Sequence, residues 1–135
     1  MKKIKTREVD HSQWSNYLKV AKEYLAGAKD HHKSRRYIGC CGDAVHCVIA
    51  ANDALTIRFL GKKSVSSNHS DASTLLRQTS PDDKDILHQM ARFQRIIGLK
   101  NVAEYDGGKV DEKDADMSLK DAQRFLEFVE KKINR

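Results

Sequence analysis

One segment in the C-terminal half of the chain carries a dense group of side chains suited to binding. Arg92 and Arg95 are three residues apart, so a helix would place both guanidinium groups on one face. Lys100 and Asn101 follow, and Tyr105 comes shortly after them. Cationic side chains attract phosphate oxygens, and amide and phenol groups donate hydrogen bonds. The segment predicts a binding surface, with an amphipathic helix whose exposed face is salt-bridged as the alternative.

A second group of polar residues interrupts an otherwise small and apolar segment. Asp43, His46 and Asp53 are three and then seven residues apart, which places them on one side of a helix. Asp43 and His46 are close enough in sequence to share a hydrogen bond that would orient the imidazole. The pair predicts either a general base or ligand contact at a cleft, or a satisfied polar pair at an interface. We therefore count Asp43 and His46 as candidate binding residues and assign no catalytic residue.

Several large enzyme classes are not indicated, because their motifs are missing. The sequence has no phosphate-binding glycine loop and no HExxH, CxxC or GxSxG motif. Cys40, Cys41 and Cys47 fall in one predicted helix, where Cys40 and Cys47 would be about 10 Å apart along the axis, too far for a disulfide. We expect buried thiols that serve as packing residues, and we expect no metal site and no cofactor.

Composition and charge are those of one globular domain spanning 1–135. The chain has 135 residues, of which 39% are hydrophobic and 33% charged. Its net charge of +6 includes a basic N-terminal arm at 1–11 and raises the expectation of phosphate-bearing partners. No apolar run approaches the roughly 18–20 residues of a membrane span, and no signal-peptide pattern follows the arm. We therefore expect no membrane association and a cytoplasmic location.

Hydrophobic periodicity predicts helices and no strand. The expected helices cover about 12–31, 37–60 and 69–79, followed by a fourth that begins at Ser80-Pro81 and a last that begins at Ser118. The fourth helix continues or bends at Gly98, and a polar loop at 107–117 precedes the last. Small residues on several faces of the second helix place it at the centre, and Gly61 should end it. The predicted fold class is all-α, an up-down antiparallel bundle of four main helices plus a short extra helix.

Taken together, four stretches resemble the HEPN family of small helical bundles. They are the small-residue helix at 40–61, the segment NHSDASTLLRQ at 68–78, KNVAEYDGG at 100–108 and the closing helix at 118–133. The resemblance implies an up-down four-helix bundle with a short extra helix, which is usually dimeric. It also implies either a pairing with a minimal nucleotidyltransferase or, in other members, metal-independent ribonuclease activity.

The chain departs from the pattern of the ribonuclease members at one place. Those members carry an arginine followed four to six residues later by a histidine, but this chain has Lys100 and then Glu104 or Tyr105. The resemblance thus favours a non-catalytic module that forms a homodimer and binds a nucleotide, RNA or a protein partner such as a nucleotidyltransferase. The alternatives are a divergent ribonuclease of toxin–antitoxin type, using Lys100, Tyr105 and His46 across a dimer cleft, and a small scaffold or interaction protein.

Overall fold

The computed structural model of the chain describes residues 3–66 and 68–135 and has, within them, six α-helices and two short strands. In chain order these are β1 (Thr6–Glu8), a 3-10 turn (His11–Gln13), α1 (Trp14–Lys33), α2 (Tyr37–Leu60), β2 (Lys62–Ser64), α3 (His69–Thr79), α4 (Ile86–Ile97), α5 (Lys100–Glu104) and α6 (Glu112–Ile133). The predicted all-α bundle is confirmed. Met1 and Lys2 of the predicted arm, and Ser67 between the second and third predicted helices, lie outside the described residues.

Helix α2 is the centre of the bundle, as its composition predicts. It packs against α1, α3, α5 and α6, and most of its residues are buried. Ala44, Ala51 and Ala54 are fully buried, so their small side chains let neighbouring helices approach closely. Gly61 ends the helix in the left-handed conformation, with φ of 68°, which confirms the predicted stop.

The expectation of no strand is wrong at one place. β1 pairs antiparallel with β2, so that part of the predicted basic arm lies beside the segment after α2, with Arg7 opposite Lys63. The amide of Val9 also donates to the carbonyl oxygen of Gly61. Each strand has only three residues, too few for an alternating pattern to be recognised in the sequence. The pairing fixes the position of Lys63 beside α2.

The fourth predicted helix begins later than the Ser80-Pro81 signal indicates. Ser80 follows the end of α3, and turns occupy the next residues before α4 begins at Ile86. The Asp83 carboxylate accepts from the backbone amide of Asp85 and lies 2.5 Å from Lys132 of α6. These contacts hold the segment as turns, so a sequence that looks like a helix start is used as a connection. The predicted bend at Gly98 is the break between α4 and α5.

The last helix begins six residues before the predicted start at Ser118. Asp111 and Asp114 form a capping box that starts α6 at Glu112, so only the first part of the predicted 107–117 loop precedes the helix. Ser118 is instead fully buried, and its hydroxyl lies 3.7 Å from the Cys41 sulfur. Two possible caps lie close together in the sequence, and the upstream pair is the one whose side chains reach the backbone.

No helix within the described ranges has both the length and the apolar character needed to cross a membrane.

Candidate functional site

Arg92 and Arg95 lie on one face of α4, as predicted, and both point toward α6. Arg95 donates from Nε to Asp121 at 3.0 Å and from Nη2 at 3.3 Å. The Nε of Arg92 is 3.8 Å from the same carboxylate. Asp121 is buried, and its hydrogen bond raises the pKa of Arg95. These two arginines are therefore part of the contact between α4 and α6.

Asp43 and His46 contact two different residues of α1. The Asp43 carboxylate lies 3.5 Å from Nε2 of His31. The His46 ring lies beside Tyr24, with 5.0 Å between ring centroids. This face of α2 is partly exposed along α1, so both candidates are accessible from the same side of the helix.

Asn101 and Tyr105 lie at the surface on α5 and at its end. The carbonyl oxygen of Asn101 accepts from the backbone amides of Tyr105 and Asp106, which closes the short helix. The Tyr105 side chain is 70% exposed.

Lys100 contacts a histidine that lines a small pocket. Its Nζ lies 3.2 Å from Nε2 of His69, the first residue of α3. The side chain of Asn68 caps α3 by accepting from the amide of Ser70, and this cap orients the start of the helix. Burial, and then the positive charge of Lys100, lower the pKa of His69. The imidazole is therefore neutral at pH 7, and its Nε2 accepts a hydrogen bond from the ammonium group.

His69 also lines a small polar pocket between α2, β2 and α3, with a volume of about 120 Å³. We call it the α2–α3 pocket, and its walls are Ile49, Asn52, Asp53, Lys63, Ser64, Ser66, His69, Ala72 and Phe93. Lys63, His69 and Lys100 together are called the Lys–His rim below. The pocket combines buried acceptors with basic groups at its edge.

Asp53 is the acidic group of the pocket. It is buried, and burial raises its pKa to about 6, although the nearby Lys63 opposes the shift. The Lys63 ammonium is 3.5 Å from the carboxylate and 5.0 Å from the centroid of the Tyr17 ring. A carboxylate held this way is ionised at pH 7 and still has acceptor capacity for a ligand.

Asn52 is the neutral acceptor of the pocket. Its side chain is 1% exposed, and Nδ2 donates to the carbonyl oxygen of Ala72 at 3.2 Å. A carbonyl oxygen can only accept, so this bond fixes which end of the amide is Oδ1. Among the described residues Oδ1 has no hydrogen-bond partner. Such an atom is costly unless a ligand or water supplies a donor.

Sequence reasoning missed several residues of the pocket. His69 comes from a segment that is distant in sequence from Lys100, so no local spacing pairs them. Lys63 is positioned by a strand that the sequence does not predict. Asp53 is one of the polar residues that the sequence analysis notes on this helix, and a signal also existed for Asn52, because the two adjacent polar residues interrupt the apolar middle of α2. Such an interruption in a central helix indicates either a polar network or a site.

A second basic cluster lies between the first half of α4 and the second half of α6, around a cavity of about 320 Å³. Its charged residues are Asp83, Asp85, Arg92, Arg124, Glu127, Lys131, Lys132 and Arg135. Asp83 pairs with Lys132, and the hydrogen bond from Lys132 lowers the pKa of Asp83. The three carboxylates of this cluster therefore offset part of the positive charge of its five cations.

Metal ligation and thiol chemistry find little support in the described part of the chain. No three His, Cys, Asp or Glu side chains there lie close enough to hold a metal ion. The three cysteines are buried free thiols, and burial raises the pKa of Cys40 and of Cys47 to about 12. The predicted packing role of the cysteines is confirmed.

Comparison with known proteins defines the family. The model of the HEPN domain matches residues 14–132, so the chain belongs to the HEPN family. The fold is similar to the crystal structure of TT1696 from Thermus thermophilus, with a TM-score of 0.71 and 21% identity, over 89% of this chain and 98% of that one. No curated protein matches the sequence. Family membership supports a nucleotide- or RNA-related or ribonuclease-like module.

Proposed function

We propose that the chain is a binding module that holds the phosphate-bearing part of a nucleotide or RNA at the Lys–His rim without cleaving it. The observation that carries the proposal is the contact of Lys100 with His69 at the edge of a polar pocket. Lys100 contacts an imidazole, whereas the charge of Lys63 is paired with the Asp53 carboxylate. Of these two ammonium groups, that of Lys100 is therefore the more available to a phosphate.

Lysine at this position fits binding better than catalysis. Its ammonium group is a point charge without the bidentate fork of arginine, so it attracts a phosphate but orients it less. Lys100 stands where ribonuclease members of the family carry arginine, and Glu104 or Tyr105 stands where they carry histidine. Tyrosine, with a pKa of about 10 in the free state, is a poor base near pH 7.

The test is fluorescence anisotropy with a labelled single-stranded RNA at several salt concentrations. We expect affinity to fall as salt rises, because phosphate contacts release counterions. Lys100→Glu should weaken binding about tenfold or more, whereas Lys120→Glu, the same charge change at an exposed position of α6, should have a smaller effect. Equal losses in the two variants would place the binding surface elsewhere, and no binding at low salt would favour the scaffold interpretation.

A second candidate function is metal-independent ribonuclease activity, which the position of His69 favours. Its imidazole, whose pKa is lowered, lies 3.2 Å from Lys100, so a general base and a phosphate-binding group stand side by side. The assay is cleavage of structured and single-stranded RNA by the wild type, His69→Ala and His46→Ala. Cleavage that is lost only in His69→Ala would establish the enzyme, and cleavage lost only in His46→Ala would move the base to α2. Absence of cleavage in the wild type supports the binding module.

Homodimerisation, a nucleotidyltransferase partner and a cytoplasmic location remain part of the proposal. HEPN domains often dimerise, and this chain exposes large apolar side chains on α1 and α2, including Val20, Tyr24 and Ile38. Light scattering after size-exclusion chromatography tests the dimer, for which a mass of twice 15.4 kDa is expected. Co-purification with a nucleotidyltransferase encoded beside this chain tests the protein partner.

A further inference from the structure

We propose that the α2–α3 pocket receives the amino-bearing edge of a nucleobase, so that the module prefers cytosine, adenine or guanine to uracil. This inference rests on the proposed function, because it names the part of the nucleotide that enters the pocket while the phosphate contacts the Lys–His rim. It follows from the size of the pocket, from its two buried acceptors and from its apolar walls.

The pocket is too small for a whole nucleotide. Its volume of about 120 Å³ is below the roughly 300 Å³ at which pockets for drug-sized ligands begin. It therefore accommodates one part of a larger ligand. His69 belongs both to the pocket wall and to the contact with Lys100, so a ligand that extends out of the pocket reaches the ammonium group directly.

Two of the buried side chains that line the pocket, Asn52 and Asp53, carry acceptor atoms. Asn52 offers Oδ1, because its Nδ2 is already bonded to Ala72 and Oδ1 has no partner among the described residues. The Asp53 carboxylate on the next residue has one contact with Lys63 and further lone pairs available. A ligand group that contacts these two side chains must therefore present N–H donors.

The remaining walls suit a flat ring. Ile49, Ala72 and Phe93 are apolar and come from three different helices, α2, α3 and α4. Aromatic and apolar side chains commonly contact the faces of bases that are read along their hydrogen-bonding edges. A site with apolar walls and acceptors along one side suits a nucleobase better than it suits a sugar or a phosphate.

Donor groups distinguish the bases. Cytosine and adenine carry exocyclic amino donors, and guanine carries one on its other edge, whereas uracil presents a carbonyl acceptor in the place of the cytosine amine. In the orientation that we propose, with the base edge toward Asn52 and Asp53, a uracil carbonyl would meet an acceptor without a proton between them. A ligand that places an acceptor opposite a buried acceptor leaves a hydrogen bond unmade, and it therefore binds more weakly.

The experiment compares mononucleotides that differ at one group, using calorimetry on the full chain. Cytidine and uridine 5′-monophosphates form one matched pair, and adenosine and inosine 5′-monophosphates form the other. We expect the amino-bearing member of each pair to bind about tenfold more tightly. Lys100→Glu should weaken all four ligands and leave each ratio unchanged, since it acts on the phosphate.

Asp53→Asn tests the acceptor directly, because it keeps the shape of the side chain and adds N–H donors. We expect the preference for cytidine over uridine monophosphate to shrink several-fold, with thermal melts of the variant confirming that it is folded. Equal affinity for both members of each pair and for ribose 5-phosphate overturns this inference and leaves the proposed function standing. Failure of the wild type to bind any mononucleotide or RNA overturns both.

Discussion

Replacing Asp53 by asparagine should make the stability of the protein respond differently to pH. Burial raises the pKa of the folded carboxyl from 3.8 to about 6, so the folded state holds this proton more tightly than the unfolded state does. The contribution of the carboxyl to stability is therefore fully present below pH 3.8 and is lost as pH rises through about 6. Asparagine has no carboxyl proton, so the variant does not lose stability in this way as pH rises.

The size of the effect follows from the two pKa values. At about 1.36 kcal/mol per pKa unit, ionising Asp53 in the folded protein reduces the free energy of unfolding by about 3 kcal/mol at pH 8. At pH 5 the folded carboxyl is mostly protonated, and the reduction is roughly half as large. The difference in the free energy of unfolding between Asp53→Asn and the wild type should therefore fall by about 1–2 kcal/mol from pH 8 to pH 5.

The assay is urea denaturation of both proteins at pH 8 and pH 5, followed by circular dichroism. The Lys63 charge holds the Asp53 pKa down, so the same comparison made with both proteins carrying Lys63→Met should give a larger change with pH. A difference that does not vary with pH would mean that the Asp53 carboxyl is solvated. The argument for a buried acceptor in the α2–α3 pocket would then fail.

Three further predictions concern the packing and capping of the helices around the pocket. Ala51→Leu should destabilise the protein by about 1–3 kcal/mol in denaturant melts, because Ala51 is fully buried in the central helix and a larger side chain overpacks it; an unchanged midpoint would contradict that packing. Asp121→Asn should cost about 1–3 kcal/mol, because it weakens the contact of α6 with Arg92 and Arg95; stability equal to the wild type would make that contact incidental. Asp111→Ala should cost about 1 kcal/mol by removing half of the capping box of α6, and Ser118→Ala, measured beside it, should not show a capping effect.

Much of the fold was predictable because it follows from local sequence patterns. The bounds of α2 and α3 follow from periodicity and from the glycine at the end of α2, and the structure has them where the sequence predicts. The starts of α4 and α6 were not predictable in the same way. Cap signals such as Ser80-Pro81 and Ser118 recur near the true starts, and tertiary contacts such as Asp83 with Lys132 decide which is used. The short sheet depends on a pairing between segments more than 50 residues apart.

The candidate site was less predictable, because its members come from separate elements. Of the residues chosen from the sequence, Lys100 contacts His69 of the pocket wall, whereas Arg92 and Arg95 contact Asp121 of α6. Charge and spacing on one helix cannot reveal which face a neighbouring helix covers. The histidine beside Lys100 belongs to α3, 31 residues before Lys100, and not to the position just after it where the ribonuclease members carry theirs. Tertiary structure is what brings the two together.

The most direct test of the proposed function is a two-dimensional amide NMR titration of the full chain with cytidine 5′-monophosphate. Binding at the pocket predicts that the largest shifts fall at Asn52, Asp53, His69 and Lys100 and saturate together, with uridine 5′-monophosphate causing smaller shifts at the same amides. Shifts confined to the second basic cluster between α4 and α6, around Arg124, or no saturable shifts at all, would contradict the account.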